Sequence, residues 1–203
     1  MMVGIKKSEA GRDKPKKKGG GLRETVLLLI LGVGIALVLQ QFVIGSFYIP
    51  SGSMENTLEI NDRVFVNKLA GKPERGDIVV FKGWDADGNE DTIKRVIGIG
   101  GDKVACCDSK GRVTVNGTPL EESSYLYPGD NPSGESFKYT VPQGKLWLMG
   151  DHRSNSRDSR AHVEEPGGGF ISEDAVIGTA VVRYWPLSRG LIFTKPDTFG
   201  NVK

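Results

Sequence analysis

Two hydroxyls flank a glycine directly after a proline in Ile49-Pro50-Ser51-Gly52-Ser53-Met54. A serine acts as a nucleophile only when a neighbouring base takes its proton. The chain has two histidines, His152 and His162, each set among Arg, Asp and Ser. A Ser-His-Asp arrangement is open with either, and nothing in the spacing favours it. No HExxH or comparable spacing occurs, so neither a metal site nor a cofactor is expected. Lys94 offers a different base. It lies in Thr92-Ile93-Lys94-Arg95-Val96-Ile97, which reads as a strand. Strand side chains alternate, so Lys94 and Arg95 point to opposite faces and one of them faces inward or into a cleft. An ordinary edge-strand lysine fits the same pattern. A buried lysine gives up its proton easily, because desolvation disfavours the charged form. Neutral, it can deprotonate a serine hydroxyl.

These residues need a scaffold, and the patterns around them are strand-like. Residues 63–68 alternate, 77–82 form an apolar run after Arg75-Gly76, and 92–98 form another. Asp87-Gly88 between the last two signals a hairpin. Asp85 to Asn89 resembles a calcium loop only loosely, with its glycine misplaced, and reads as a turn. Residues 112–117 read as a strand and hairpin turn, 121–136 as a long surface loop, and 137–141, 145–149 and 177–185 as strands. Gly150 to Arg160 is too polar for a core element and dense in hydrogen-bonding groups. Residues 195–203 are expected to fray. Cys106 and Cys107 are adjacent, and neighbouring cysteines seldom pair with each other, so no disulfide staple is expected. The 28 glycines and 10 prolines agree with a turn-rich β body.

Ahead of this body lies a different composition. Residues 1–25 carry eight Lys or Arg against three acidic residues and a Gly19-Gly20-Gly21 run, and read as a disordered basic tail. Residues 26–48 are almost wholly apolar, and a helix of about 20 residues crosses roughly 30 Å of hydrocarbon. The basic flank places the N-terminus in the cytoplasm and residues 49–203 outside. A cleaved signal peptide is the rival reading. No convincing small-x-small site follows the run, and the run exceeds a typical signal core, which favours an uncleaved anchor. Net charge is only +2, so no nucleic-acid partner is expected.

Four blocks in order now carry a resemblance: Pro50-Ser51-Gly52-Ser53-Met54, Arg75-Gly76-Asp77-Ile78-Val79, Lys94-Arg95-Val96-Ile97-Gly98 with Gly101-Asp102, and Gly150-Asp151 through Ser156, Asp158, Ser159 and Arg160. Behind an N-terminal span, from about residue 42 to 185, the chain closely resembles the bacterial type I signal peptidases. Asn56, Gly100 and His152 stand where that family commonly has Pro, Pro and Asn. The resemblance implies Ser53 as nucleophile, Lys94 as general base, Ser156 as the hydroxyl that orients the lysine, and Ser51 as a donor to the oxyanion beside the Ser53 N–H. It implies ion pairs Asp151–Arg95 and Asp158–Arg160 that brace the site. Phe47, Ile49, Pro50, Met54, Leu58, Asp91 and Ile93 would line shallow substrate pockets. The implied fold is mainly β: an antiparallel-sheet peptidase domain over 49–194, with a β cap lobe inserted at about 103–142, behind one transmembrane helix and followed by a tail at 195–203. The implied activity is removal of signal peptides from secreted preproteins at the outer face of the bacterial cytoplasmic membrane. Membrane lipid and a nearby secretion translocon are the expected surroundings.

Overall fold

The computed structural model describes residues 21–84 and 90–203. Most of the expected basic tail, and the Asp85–Asn89 turn with its hairpin and calcium-loop readings, lie outside the described residues. The described residues divide into two units, one ending at residue 37 and one beginning at residue 38. A helix, α1, runs Leu22–Phe42. It starts within the segment read as tail and stops short of residue 48. Along it, Leu27, Leu28, Leu29, Ile30 and Leu31 are all exposed. Among the described residues no helix is long and apolar enough to cross a membrane.

The helix expected over 26–48 gives way to strand β1 at Ile44–Tyr48, which pairs antiparallel with β2 at Arg63–Asn67. Ile44, Phe47 and Tyr48 are β-branched or aromatic and suit a pleated surface, and pairing with β2 outweighs the apolar run's helical reading. β3 (Ile78–Lys82), β4 (Asp91–Ile99), β9 (Lys145–Met149), β10 (Ile171–Ser172), β11 (Val176–Trp185) and β12 (Leu191–Ile192) complete an eight-stranded sheet. Its order is β1-β2-β11-β3-β4-β9-β10, with β12 on β11. The second sheet is built from β5 (Lys103–Cys106), β6 (Thr114–Val115), β7 (Thr118–Pro119) and β8 (Phe137–Thr140), in the order β7-β6-β5-β8. The β6–β7 turn places Asn116 and Gly117 at φ 53° and 81°, as the tight hairpin turn read there requires.

β4 is central to both sheet geometry and chemistry. β3 pairs with its Asp91–Arg95 half, and β9 with Arg95–Ile99. One edge of Asp91–Lys94 is therefore uncovered by β9. In β1, β2, β11 and β12, the apolar side chains of Ile44, Tyr48, Phe65, Trp185, Leu191 and Ile192 are exposed, and the Phe65 ring stacks on Tyr184.

Three expectations fail here. Residues 195–203 do not fray: Asp197–Asn201 form a 3-10 turn, and Phe199 and Val202 enter the core beside Tyr125 and Trp147. Asn116 and Arg75 hold the backbone carbonyls of Lys203 and Val202. Cys106 and Cys107 are joined by a disulfide across a cis peptide bond. The 121–136 stretch is not only surface loop, since Glu122, Tyr125 and Ser133 are buried.

Candidate active site

Ser53 sits in a single 3-10 turn, Gly52–Met54, entered from Ser51 in extended conformation. All three residues of the turn are buried, while Ser51 stays exposed. The turn is pressed against Gly150, where any side chain would collide with the Ser53 carbonyl and the Ser156 hydroxyl. The glycine is thus needed for the close approach of two distant segments. Across the turn, Lys94 Nζ donates to Ser53 Oγ at 2.8 Å and to the Ile93 carbonyl at 3.1 Å. Lys94 is only 4% exposed and Ser53 7%. Burial pulls the Lys94 ammonium down to about 8, against the opposing pull of the Asp158 and Asp151 carboxylates. About a tenth of such a lysine is neutral at pH 7. The pair therefore has the proximity and the protonation equilibrium that a serine–base couple needs. Ser51 Oγ lies 3.5 Å from Ser53 Oγ, at the limit of hydrogen bonding.

Arg95, the next residue on β4, points the other way. It forms a two-pronged pair with Asp151, Nε to Oδ1 at 2.8 Å and Nη2 to Oδ2 at 2.7 Å. Its Nη1 donates to the Gly76 carbonyl at 2.9 Å, and its guanidinium lies 4.4 Å from the Tyr125 ring centre. The Thr57 hydroxyl also donates to Asp151. Asp158 and Arg160 pair in the same two-pronged way, and Asp158 further accepts from the Gly150 N–H at 3.0 Å. Arg160 in particular holds the Asp158 carboxyl below its usual range despite burial.

A third buried pair escaped the sequence reading. Arg153 donates to Glu122 at 2.5 Å and to the Gly150 carbonyl at 2.8 Å. Tyr125 joins it through a 2.6 Å bond to Glu122, and burial with the Glu122 charge pushes the phenol well up. Only density of polar residues in Gly150–Arg160 hinted at this network, because Glu122 lies in a loop-like stretch far away in sequence.

Among the described residues, Ser156 makes no hydrogen bond to the lysine; its hydroxyl acts instead on the Asp158 carboxylate, and Lys94 uses the Ile93 carbonyl. Among the residues expected to line pockets, Met54 and Leu58 are fully enclosed in the core. They support the turn from behind, because the 3-10 turn directs Met54 inward. Ile49 and Ile93 pack in the same cluster, with Phe47 partly buried against it. Pro50 and Asp91 are exposed at its margin. Among the described residues, no group of His, Cys, Asp and Glu could hold a metal ion.

The family model "Signal peptidase, peptidase S26" matches residues 22–185. Signal peptidase I of Leptolyngbya laminosa is 40% identical over 182 residues, covering 85% of this chain and 84% of the relative. Signal peptidase I of Mycobacterium tuberculosis (strain CDC 1551 / Oshkosh) is 35% identical over 232 residues, covering 89% and 78%. Signal peptidase IB of Staphylococcus aureus (strain MRSA252) is 31% identical over 198 residues, covering 89% and 98%. A crystal structure of signal peptidase I from Enterococcus faecalis V583 overlaps with a TM-score of 0.41 at 27% identity, over 54% of this chain and 97% of that one. The chain belongs to the signal peptidase family, peptidase S26, and is an enzyme of that family.

Proposed function

We propose that this chain is a membrane-anchored serine endopeptidase that removes signal peptides from secreted preproteins, with Ser53 and Lys94 as its catalytic dyad. One observation carries the reading: the 2.8 Å contact between Lys94 Nζ and Ser53 Oγ in a nearly closed setting. Neutral Lys94 takes the Ser53 proton as Oγ attacks the carbonyl carbon before the scissile bond. The carbonyl oxygen becomes an oxyanion, which accepts from the Ser53 N–H and the Ser51 hydroxyl. The Lys94 ammonium then returns its proton to the departing amine. Water, deprotonated by the same lysine, hydrolyses the acyl ester.

The uncovered edge of β4 at Asp91–Lys94 supports an extended substrate that adds as a strand. Ile49 and Ile93 present branched side chains at the core wall beside it, which favours small residues such as Ala at the substrate positions one and three before the cut. The second sheet, within 103–142, serves as the cap lobe in this reading.

Membrane attachment rests on two surfaces. A helix whose apolar side chains are exposed around it needs an apolar medium. The exposed apolar surface of β1, β2, β11 and β12 suits a lipid interface, with Tyr48 and Trp185 as aromatic anchors. The basic tail sets the N-terminus inside and the catalytic unit outside, near the translocon, where preprotein cleavage sites emerge.

The test is cleavage of a purified preprotein by the full chain reconstituted in lipid vesicles, beside Ser53→Ala. Release of the mature protein by wild type only is expected. Equal processing by Ser53→Ala would defeat the dyad, and full activity in a membrane-free soluble fraction would defeat the anchor.

A further inference from the structure

We infer that His152 is a positioning residue that grips both peptide groups flanking the Ser53 nucleophile. The inference rests on the dyad reading above and adds a residue to it. His152 approaches the turn twice. Its backbone N–H donates to the Ser53 carbonyl at 3.2 Å. Its ring Nδ1 lies 3.2 Å from the Gly52 carbonyl and 2.8 Å from Glu55 Oε2. Both of these partners only accept, so Nδ1 carries the proton. The ring is held flat against Tyr127, with centroids 3.9 Å apart and planes 10° from parallel. Asp130 also faces it electrostatically.

The consequence follows from peptide planarity. The Gly52 carbonyl and the Ser53 N–H belong to one rigid plane and point in opposite directions. Fixing the carbonyl fixes the N–H. The Gly52 carbonyl accepts from the Glu55 N–H at 3.1 Å and from the His152 ring. Glycine permits rotations of this plane that other residues resist, so the second donor matters here. The Ser53 carbonyl, in the next plane, is held by the His152 N–H. One residue therefore sets the aim of the oxyanion donor and the seat of the nucleophile, while Glu55 and Tyr127 set the ring.

The test uses the full chain in detergent with a fluorogenic peptide carrying Ala one and three residues before the cut. It also uses the matching peptide aldehyde, whose carbon bonds to Ser53 Oγ while its oxygen takes the negative charge and the serine proton passes to Lys94. His152→Ala should lower kcat about 10-fold, a fraction of what losing a whole oxyanion donor costs, with KM unchanged. Aldehyde affinity should fall in parallel. His152→Asn, which restores an N–H donor, should recover most of both. Glu55→Ala, at a partly exposed side chain, should lower kcat about threefold at unchanged KM. The acid limb of the pH profile should not move in any variant, because Lys94 is untouched. Unchanged kcat in His152→Ala, or losses that His152→Asn does not recover while aldehyde affinity stays intact, would overturn the inference. Should His152→Ala not fold, unchanged kcat in Glu55→Ala would overturn it. An inactive wild type would bring down the dyad reading and this inference together.

Discussion

Lys94 and Arg95 are neighbours on one strand, both buried, and the protein treats their charges in opposite ways. Arg95 keeps its charge and is saturated with partners: both Asp151 oxygens, the Gly76 carbonyl and the Tyr125 face. Among the described residues, Lys94 meets no carboxylate within bonding distance, only a hydroxyl and a carbonyl. Its burial is relieved by losing the proton instead. Guanidinium hardly titrates and suits the braced side, whereas ammonium titrates readily when desolvated and suits the reactive side. The strand's alternation separates a structural cation from a chemical one by a single residue.

Exchanging the two roles breaks this comparison most severely. Lys94→Arg keeps charge and length but cannot act as a base, so kcat/KM should fall by about 10⁴ or more on the peptide substrate. Measurable cleavage close to wild type would mean that another group takes the serine proton. Removing the partner on the braced side comes next. Asp151→Ala strands a buried guanidinium and should lower unfolding stability by about 3–5 kcal/mol in urea melts. A loss under about 1 kcal/mol would show that Tyr125, Thr57 and Gly76 suffice without the carboxylate.

The smallest effect has the opposite sign. The unfolded chain holds the Lys94 proton up to 10.5, whereas the folded chain releases it at about 8. Between these values the unfolded state binds more protons, so stability rises with pH, and below about 8 the full penalty applies. Lys94→Met should therefore stabilise the protein by about 3 kcal/mol at pH 7, with the gain shrinking above pH 8. A destabilised Lys94→Met at pH 7 would mean that packing around the ammonium outweighs its desolvation.

Much of this contrast was legible in the sequence. Alternation along Thr92–Ile97 put the two cations on opposite faces, the strand patterns foretold a turn-rich β body, and the resemblance implied its antiparallel sheet. The resemblance supplied the Asp151 and Asp158 pairings and the serine at 53. What stayed hidden depends on contacts between distant segments. The Glu122–Arg153 pair joins residues 31 apart, and no local pattern marks a glutamate as buried. Phe199 and Val202 sit in a polar, Gly-containing terminus whose two apolar side chains gain burial only once Tyr125 and Trp147 are in place. The end of α1 depended on whether β2 was available to pair with Ile44–Tyr48. Ser156 shows the converse: the resemblance named its role, yet among the described residues its hydroxyl makes no hydrogen bond to the lysine.

The contrast between the two cations reduces to the protonation of one amine, which the pH dependence of kcat/KM reads directly. With a short uncharged peptide substrate, kcat/KM should rise about 10-fold from pH 7 toward 9 and level off, with an acid limb centred near 8. Lys94→Ala should show no such limb and only background cleavage. An acid limb centred near 10.4, the value of a free lysine, or full activity in Lys94→Ala would contradict the account.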